Sequence, residues 1–160
     1  MYRYIRLYAV IFFISFLYNN IVYATDRQNS YEKTTDKPLN DILEDVEFAV
    51  TEHNLRVVDR LHIGQAIKDR GKQDFPAYEV ILYCSITFAE KMLELAPELI
   101  NACPGRITVR GKDTSYIISA PLWPNESNNG ELKKLIENMN NIVKDIVDYA
   151  ALKWLNDYEE

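Results

Sequence analysis

The chain has 160 residues, the size of one domain, and its 48% hydrophobic and 26% charged residues are the composition of a globular protein. Its 18 Lys and Arg against 24 Asp and Glu give a net charge of −6, which argues against nucleic acid partners because these need a basic surface. Two Cys are too few for a disulfide-rich scaffold or a four-thiolate zinc site, and we expect no resident metal or cofactor.

The first 24 residues have the pattern of a secretory signal peptide. Arg3 and Arg6 precede an apolar run at 7–17, and Val22 and Ala24 stand at the −3 and −1 positions of a cleavage site after Ala24. The alternative is an uncleaved membrane anchor, but the run is shorter than the ~20 residues that cross a bilayer. We therefore expect export to the periplasm or the extracellular space, with no stable membrane span after cleavage.

The rest of the chain is predicted to hold one domain. Removal of residues 1–24 leaves 16 basic and 24 acidic residues, a net charge of −8. We predict a loose polar arm at 25–29, a single α+β domain at 30–156 and a tail at 157–160. Because exported proteins meet oxidising surroundings, the two Cys of this domain can pair.

Hydrophobic periodicity and turn residues predict the elements of the domain in chain order. The first half contains an edge strand at 30–34, a helix at Pro38–His53 stopped by Asn54, a strand at 55–63, and a short helical piece with a charged loop at 64–75. A strand at 78–84 follows, and then a helix that has Thr87 and Glu90 as its capping box and ends at Pro97. The last elements are a hairpin of strands 106–110 and 115–120 and a helix at Gly130–Trp154. Short connections favour antiparallel pairing, with the helices packed on one face of the sheet.

The last predicted helix has the broadest apolar face of the chain. A face this wide is typical of a helix that packs across a sheet rather than of a solvated surface helix. We therefore predict burial of five of its apolar side chains: Met139, Ile142, Val143, Ile146 and Val147.

Three stretches of the sequence together resemble a known family. They are RLHIGQAIKDRG at 60–71, YEVILYC at 78–84 leading into Ala89, and CPGRITV at 103–109. The pattern resembles the Domain of Unknown Function 302 family over about 30–151. The resemblance implies a TATA-binding-protein-like α+β fold, with an antiparallel sheet packed on one face by helices, and a homodimer. The family has no established general activity, so the resemblance implies no catalytic residue.

Cys84 and Cys103 are the most suggestive pair of side chains. One ends a predicted strand and the other precedes the next, so antiparallel pairing would bring both thiols to the same end of the sheet. A structural disulfide there would stabilise the fold by about 3 kcal/mol on a chain-entropy model. Two buried thiols are a second interpretation. A redox-active or sulfur-carrying dithiol is a third, favoured by the helix N-terminus after Cys84, whose dipole favours a thiolate.

His62 is a weaker candidate. With Cys84 or Cys103 it could form a metal or thiol–imidazole site. A lone His on a strand is more often a structural group that is satisfied by its neighbours. Both interpretations stay open at this point.

A charged loop follows the predicted strand at 55–63. It contains Lys68, Asp69, Arg70 and Lys72 beside a glycine, and its simplest interpretation is a solvated turn. The alternative is an anion clamp in which Arg70 acts with Arg106 or Arg110. No phosphate-loop pattern accompanies these residues.

Two function hypotheses follow from the sequence. The first is an exported, non-enzymatic and dimeric binding or assembly module with a small-molecule or protein partner. The second is a thiol-redox, sulfur-handling or metal-binding protein that uses Cys84 and Cys103. The candidate ligand-binding residues are His62, Arg70, Cys84, Cys103 and Arg106.

Overall fold

The computed structural model describes residues 29–153. Its elements are β1 (Ser30–Thr35), α1 (Leu39–Glu52), β2 (Arg56–His62), α2 (Ile63–Lys68), β3 (Ala77–Cys84), α3 (Ile86–Leu95), a 3-10 helix (Pro97–Ala102), β4 (Gly105–Lys112), β5 (Ser115–Pro121) and α4 (Gly130–Ala151). The predicted signal peptide at 1–24, all but the last residue of the arm at 25–29, and the tail at 157–160 lie outside the described residues and stay predictions.

The five strands form one antiparallel sheet in the order β1-β5-β4-β3-β2. The strand predicted at 30–34 lies at one edge, as expected, and β2 lies at the other. Strand β3, whose residues are apolar on both faces, is flanked by β2 and β4. The structure confirms the predicted α+β fold with an antiparallel sheet and a long C-terminal helix.

Side chains alternate between the two faces of the sheet, as the pleat of a β-strand requires. On β3, for example, Ile81 and Tyr83 are buried, whereas Val80 and Leu82 between them are only half-buried. The buried set packs against α1 and α4 to make the hydrophobic core. The other face of the sheet is called the open face below.

Helix α4 supplies the largest share of the helical side of the core. Of its five side chains predicted to be buried, Met139, Val143, Ile146 and Val147 are buried, and Ile142 is half-buried. The helix ends at Ala151, short of the predicted end at Trp154, because Leu152 leaves helical geometry with φ −65° and ψ 132°. Trp154 itself lies outside the described residues.

Two buried backbone groups between β5 and α4 depend on one side chain. The amide of Asn140 accepts a hydrogen bond from the Trp123 backbone N–H at 2.8 Å and donates one to the Trp123 carbonyl at 3.0 Å. Both residues are buried. Because an amide has one acceptor and two donors, Asn140 can satisfy both groups at once. Asn140 thereby fixes the segment that carries the Trp123 indole.

Helix boundaries agree with the sequence at α1 and differ at α3. Asn54 takes a left-handed φ of 56° directly after α1, as predicted for its stop. The predicted capping box of Thr87 and Glu90 is wrong, because Ser85 is the N-cap of α3 and its hydroxyl accepts from the Phe88 N–H at 3.3 Å.

Among the helices of residues 29–153, none is both long and apolar enough to cross a lipid bilayer.

Candidate functional site: a two-cysteine cleft

The two cysteines meet at one end of the sheet. Cys84 is the last residue of β3, Cys103 stands two residues before β4, and the antiparallel register pairs Tyr83 with Gly105. Their Sγ atoms are 3.7 Å apart, and both residues are half-buried thiols. The structure thus places them together as the sequence predicted, while the disulfide between them stays a prediction.

The segment between Cys84 and Cys103 leaves the sheet and then returns to it, which brings Cys103 next to Cys84. Strand β3 ends where Ser85 caps α3, and the helix runs ten residues to Leu95. Pro97 opens the 3-10 helix, and the N–H of Cys103 donates to the Ile100 carbonyl at 3.1 Å as that helix ends. The excursion therefore begins and ends at the same corner of the sheet.

Gly105 allows the close packing behind this corner. A Cβ atom at this position would overlap the aromatic ring of Tyr83. Glycine is thus required because the ring of Tyr83 lies directly against the backbone of β4. The buried Tyr83 ring in turn supports the start of β4, next to Cys103.

The thiols border an open cleft of about 650 Å³. This volume lies within the range of small-molecule sites, roughly 300–1,000 Å³. Three chain segments line it: the start of β2 with the residue 54 turn, the β3–α3 junction, and the turn before β4. The lining residues are Asn54, Arg56, Val57, Val58, Cys84, Ser85, Ile86, Thr87, Cys103 and Pro104.

Two aliphatic side chains on the rim of the cleft are exposed. The side chains of Val58 and Ile86 are 57% and 78% exposed. Val58 lies at the irregularity of the β2–β3 register between Val57 and Asp59, where a bulge turns its side chain outward. Ile86 begins α3. Exposed aliphatic side chains around a concave site are typical of ligand contact.

The surroundings of Cys103 favour its protonated form. Burial raises the pKa of the Cys103 thiol above its ordinary value, and the neighbouring Cys84 raises it further through a hydrogen bond and through its charge. A thiol with a raised pKa is a poor nucleophile at neutral pH, because the thiolate is the reactive form. Cys103 is therefore suited to reacting second, after a sulfur has been brought next to it.

An aromatic cluster closes the space behind the thiols. Tyr83, Phe88 and Trp123 lie there with Met139 of α4. The Phe88 and Trp123 rings meet edge to face with centroids 5.4 Å apart. Burial raises the pKa of Tyr83 to about 12, so its hydroxyl is protonated at neutral pH. The cleft therefore has a rigid apolar back and an open front.

The structure separates His62 from the two thiols. On β2, Arg56 pairs with Cys84, whereas His62 pairs with Glu79 six residues further along. At about 3.3 Å per residue, this places His62 about 20 Å from Cys84. Its Nδ1 lies 2.5 Å from Oε2 of the buried Glu79. The predicted site of His62 with Cys84 or Cys103 is therefore wrong, and its interpretation as a structural His agrees with this contact.

Arg70 also lies away from the thiols. It follows α2, whose Gly64 packs directly against the backbone of the segment 76–78 at the start of β3. Arg106, by contrast, lies at the thiol end of β4, where it pairs with Leu82. The predicted anion clamp of Arg70 with Arg106 is therefore wrong, because the antiparallel sheet holds the two at opposite ends of its strands.

Arg110, the other predicted partner of Arg70 in the clamp, pairs with a carboxylate. The Arg110 guanidinium lies 3.4 Å from the Glu32 carboxylate across β5. Arg106 lines a second, smaller cleft of about 250 Å³ with Glu98, Leu122 and Trp123, which shares Pro104 with the dithiol cleft.

Residues 29–153 contain no group of three or more His, Cys, Asp or Glu side chains placed to hold a metal ion.

Arg56 is the lining residue of most chemical interest that the sequence analysis missed. Its position follows from register, because the start of β2 must adjoin the end of β3 in an antiparallel pair. The predicted strands at 55–63 and 78–84 already contained that signal. If these two strands are antiparallel neighbours, Arg56 falls at the thiol end of the pair, and the register then places it opposite Cys84.

Comparisons with known proteins agree with the fold. The family model described as Domain of unknown function DUF302 matches residues 31–148. The crystal structure of an uncharacterized conserved protein DUF302 from Bacillus stearothermophilus superposes with a TM-score of 0.67 at 14% sequence identity. The superposition covers 76% of this chain and 97% of that one. No functionally curated protein matches the sequence.

Proposed function

The chain belongs to the Domain of unknown function DUF302 family, and from this premise we propose that it is an exported thiol–disulfide exchange protein in which Cys84 and Cys103 form the redox pair. The observation that carries the proposal is the 3.7 Å separation of the two Sγ atoms at an open cleft. Export is part of the proposal and rests on the signal-peptide pattern at 1–24.

Distance and accessibility both favour exchange between these thiols. A disulfide needs the sulfurs about 2.0 Å apart, so a shift of less than 2 Å would join them. Both cysteines are half-buried and line the cleft, which gives a partner sulfur a path to them. Exposed disulfides are more easily reduced than buried structural ones, so the pair can cycle between both forms.

The reaction proceeds through a mixed disulfide. The Cys84 thiolate attacks one sulfur of a substrate disulfide, the substrate S–S bond breaks, and the departing thiolate takes up a proton. The Cys103 thiol then loses its proton and attacks Cys84 Sγ, which forms the Cys84–Cys103 bond and releases the second substrate thiol. The protein loses two electrons and two protons, and the substrate gains them. The reverse sequence oxidises a substrate dithiol.

The stoichiometry of oxidation tests this mechanism. We expect the reduced protein to release two equivalents of thionitrobenzoate from dithiobis(nitrobenzoate), and to end two hydrogens lighter with no adduct by mass spectrometry. The variants Cys84→Ser and Cys103→Ser should each release one equivalent and keep one adduct, because the resolving sulfur is missing. Two stable adducts on the wild-type chain, or no reaction until it is unfolded, would refute the exchange mechanism.

A second proposal, compatible with the first, concerns assembly. The resemblance implies a homodimer, and we propose that a second copy packs on the open face along β2 and β3, at the ends of these strands away from Arg56 and Cys84. An apolar patch lies on the adjoining strands β2 and β3 of that face: Leu61, Tyr78, Val80 and Leu82. Opposite charges flank this patch, with Asp59 on β2 and Arg110 on β4. Patches of this kind mark protein interfaces on soluble proteins.

Analytical ultracentrifugation tests the dimer. We expect the wild-type chain to sediment as a dimer and Val80→Lys to sediment as a folded monomer, because the new charge would be trapped between two apolar surfaces. Thr34→Lys adds the same charge to an exposed position on the same face, on the edge strand β1, and should leave the dimer intact. A wild-type monomer at tens of micromolar would contradict the proposal.

A further inference from the structure

The cleft contains a cation directly beside the first cysteine. Arg56 opens the edge strand β2, and its register partner is Cys84. Partners in an antiparallel pair project from the same face with Cβ atoms about 5 Å apart. The Arg56 side chain therefore starts next to Cys84 Sγ and lies along the cleft that both residues line.

Arg56 differs from Arg60 and Arg110 in having no internal partner. Arg60 pairs with Glu47 of α1, and Arg110 pairs with Glu32 of β1. Within residues 29–153, the exposed side chain of Arg56 takes part in no hydrogen bond or ion pair. In a chain of net charge −6, an unpaired guanidinium at a concave site is free to bind an anionic group.

The remaining walls define what accompanies that anionic group. Val58 and Ile86 supply exposed aliphatic surface, and Ser85 and Thr87 supply hydroxyls. A cleft of about 650 Å³ holds a small organic molecule rather than a folded partner. Arg56 matches a carboxylate, the aliphatic side chains match a short carbon skeleton, and the two thiols match a sulfur, all in one molecule.

We propose that the substrate of the dithiol is a low-molecular-weight disulfide that carries carboxylates, and that Arg56 binds one of these carboxylates. The proposal rests on the proposed exchange function and names its substrate class. Arg56 holds the substrate sulfur over Cys84 during the attack, while cationic disulfides are repelled from the same position. Arg56 is thus a selectivity residue that contacts substrate, and the reacting atoms remain the two cysteine sulfurs.

Paired substrates of opposite charge test this assignment. The rate constant for oxidation of the reduced protein is measured with oxidised glutathione, which carries carboxylates, and with cystamine, which carries amines. We expect Arg56→Gln to slow the reaction with oxidised glutathione about tenfold, the effect of one lost charge-assisted contact worth roughly 1.4 kcal/mol. The reaction with cystamine should stay equal or become faster.

Two further variants separate the contact from a general charge effect. Arg56→Lys keeps the charge without the planar fork and should restore part of the rate with oxidised glutathione. Arg110→Gln removes one positive charge at the opposite end of β4 and should leave both rates unchanged. The wild-type preference for the anionic substrate should also weaken as salt is raised.

The outcomes distinguish this proposal from the function on which it rests. If the wild-type protein forms its disulfide at equal rates with both reagents, or if Arg56→Gln retains the full preference, the substrate class is overturned and the exchange function stands. If neither reagent oxidises the folded protein, both proposals are overturned.

Discussion

Replacing Ile146 by Asp should prevent the domain from folding. Ile146 lies on the buried face of α4 with no exposed surface and belongs to the hydrophobic core. An isolated carboxylate there would lose its hydration without a partner, and it would have to be protonated to be tolerated. Domain stabilities are typically about 5–15 kcal/mol, which this cost would largely consume. We expect circular dichroism to show no cooperative thermal transition for Ile146→Asp.

Matched variants on the same helix keep this prediction testable when the Asp variant does not fold. Ile146→Ala should remain folded but lose about 2–5 kcal/mol in urea denaturation, the usual cost of a buried aliphatic truncation. Asn141→Asp places the same carboxylate on the exposed side of α4 and should change stability by no more than about 0.5 kcal/mol. Equal stabilities of Ile146→Asp and Asn141→Asp would show that α4 is not a core helix.

Asn140→Ala should have the next largest effect on stability. The substitution removes the partners of two buried backbone groups, the N–H and the carbonyl of Trp123. Each buried group left unsatisfied costs about 1–3 kcal/mol, so we expect a total loss of about 2–6 kcal/mol for the two groups in urea denaturation. Because Trp123 backs the two thiols, this loss should be accompanied by faster alkylation of Cys103.

The neighbouring residue provides the control for this variant. Asn141 has the same side chain on the same helix but is exposed. Asn141→Ala removes the amide without leaving a buried group unsatisfied, and its stability should stay within about 0.5 kcal/mol of the wild type. Similar losses for the two variants would contradict the role assigned to the Asn140 hydrogen bonds.

The sequence predicted best the features that depend on long repeats or on coarse topology. The apolar period of α4 extends over 22 residues, so its identity did not depend on any single position. The meeting of Cys84 and Cys103 needed only that two successive strands be antiparallel neighbours. Neither prediction required knowledge of the register between strands.

The sequence does not distinguish between two nearby residues of similar chemistry as the N-cap of α3. Ser85 and Thr87 are both hydroxyl residues suited to an N-cap, and Thr87 even has a glutamate three residues later. Ser85 caps the helix because β3 stops pairing at Cys84, its last partnered residue. The end of a strand depends on its neighbours, and local sequence does not record it.

Register explains the remaining errors at the site. The sequence allows His62 to form a site with Cys84 or Cys103, yet the β2–β3 pairing places His62 beside Glu79. The same pairing places Arg56 beside Cys84, although no sequence motif singles out Arg56. The cleft itself is built from three separate segments, so its lining becomes visible only when these are assembled.

The reduction potential of the Cys84–Cys103 pair tests the central claim most directly. The protein would be equilibrated in buffers of reduced and oxidised glutathione or dithiothreitol, quenched by alkylation, and its thiols counted by mass spectrometry. The account predicts one two-electron transition above about −300 mV, in the range of accessible exchange-active disulfides. A potential below about −300 mV would identify a structural disulfide, and two thiols that persist under the most oxidising buffer would exclude a redox pair altogether.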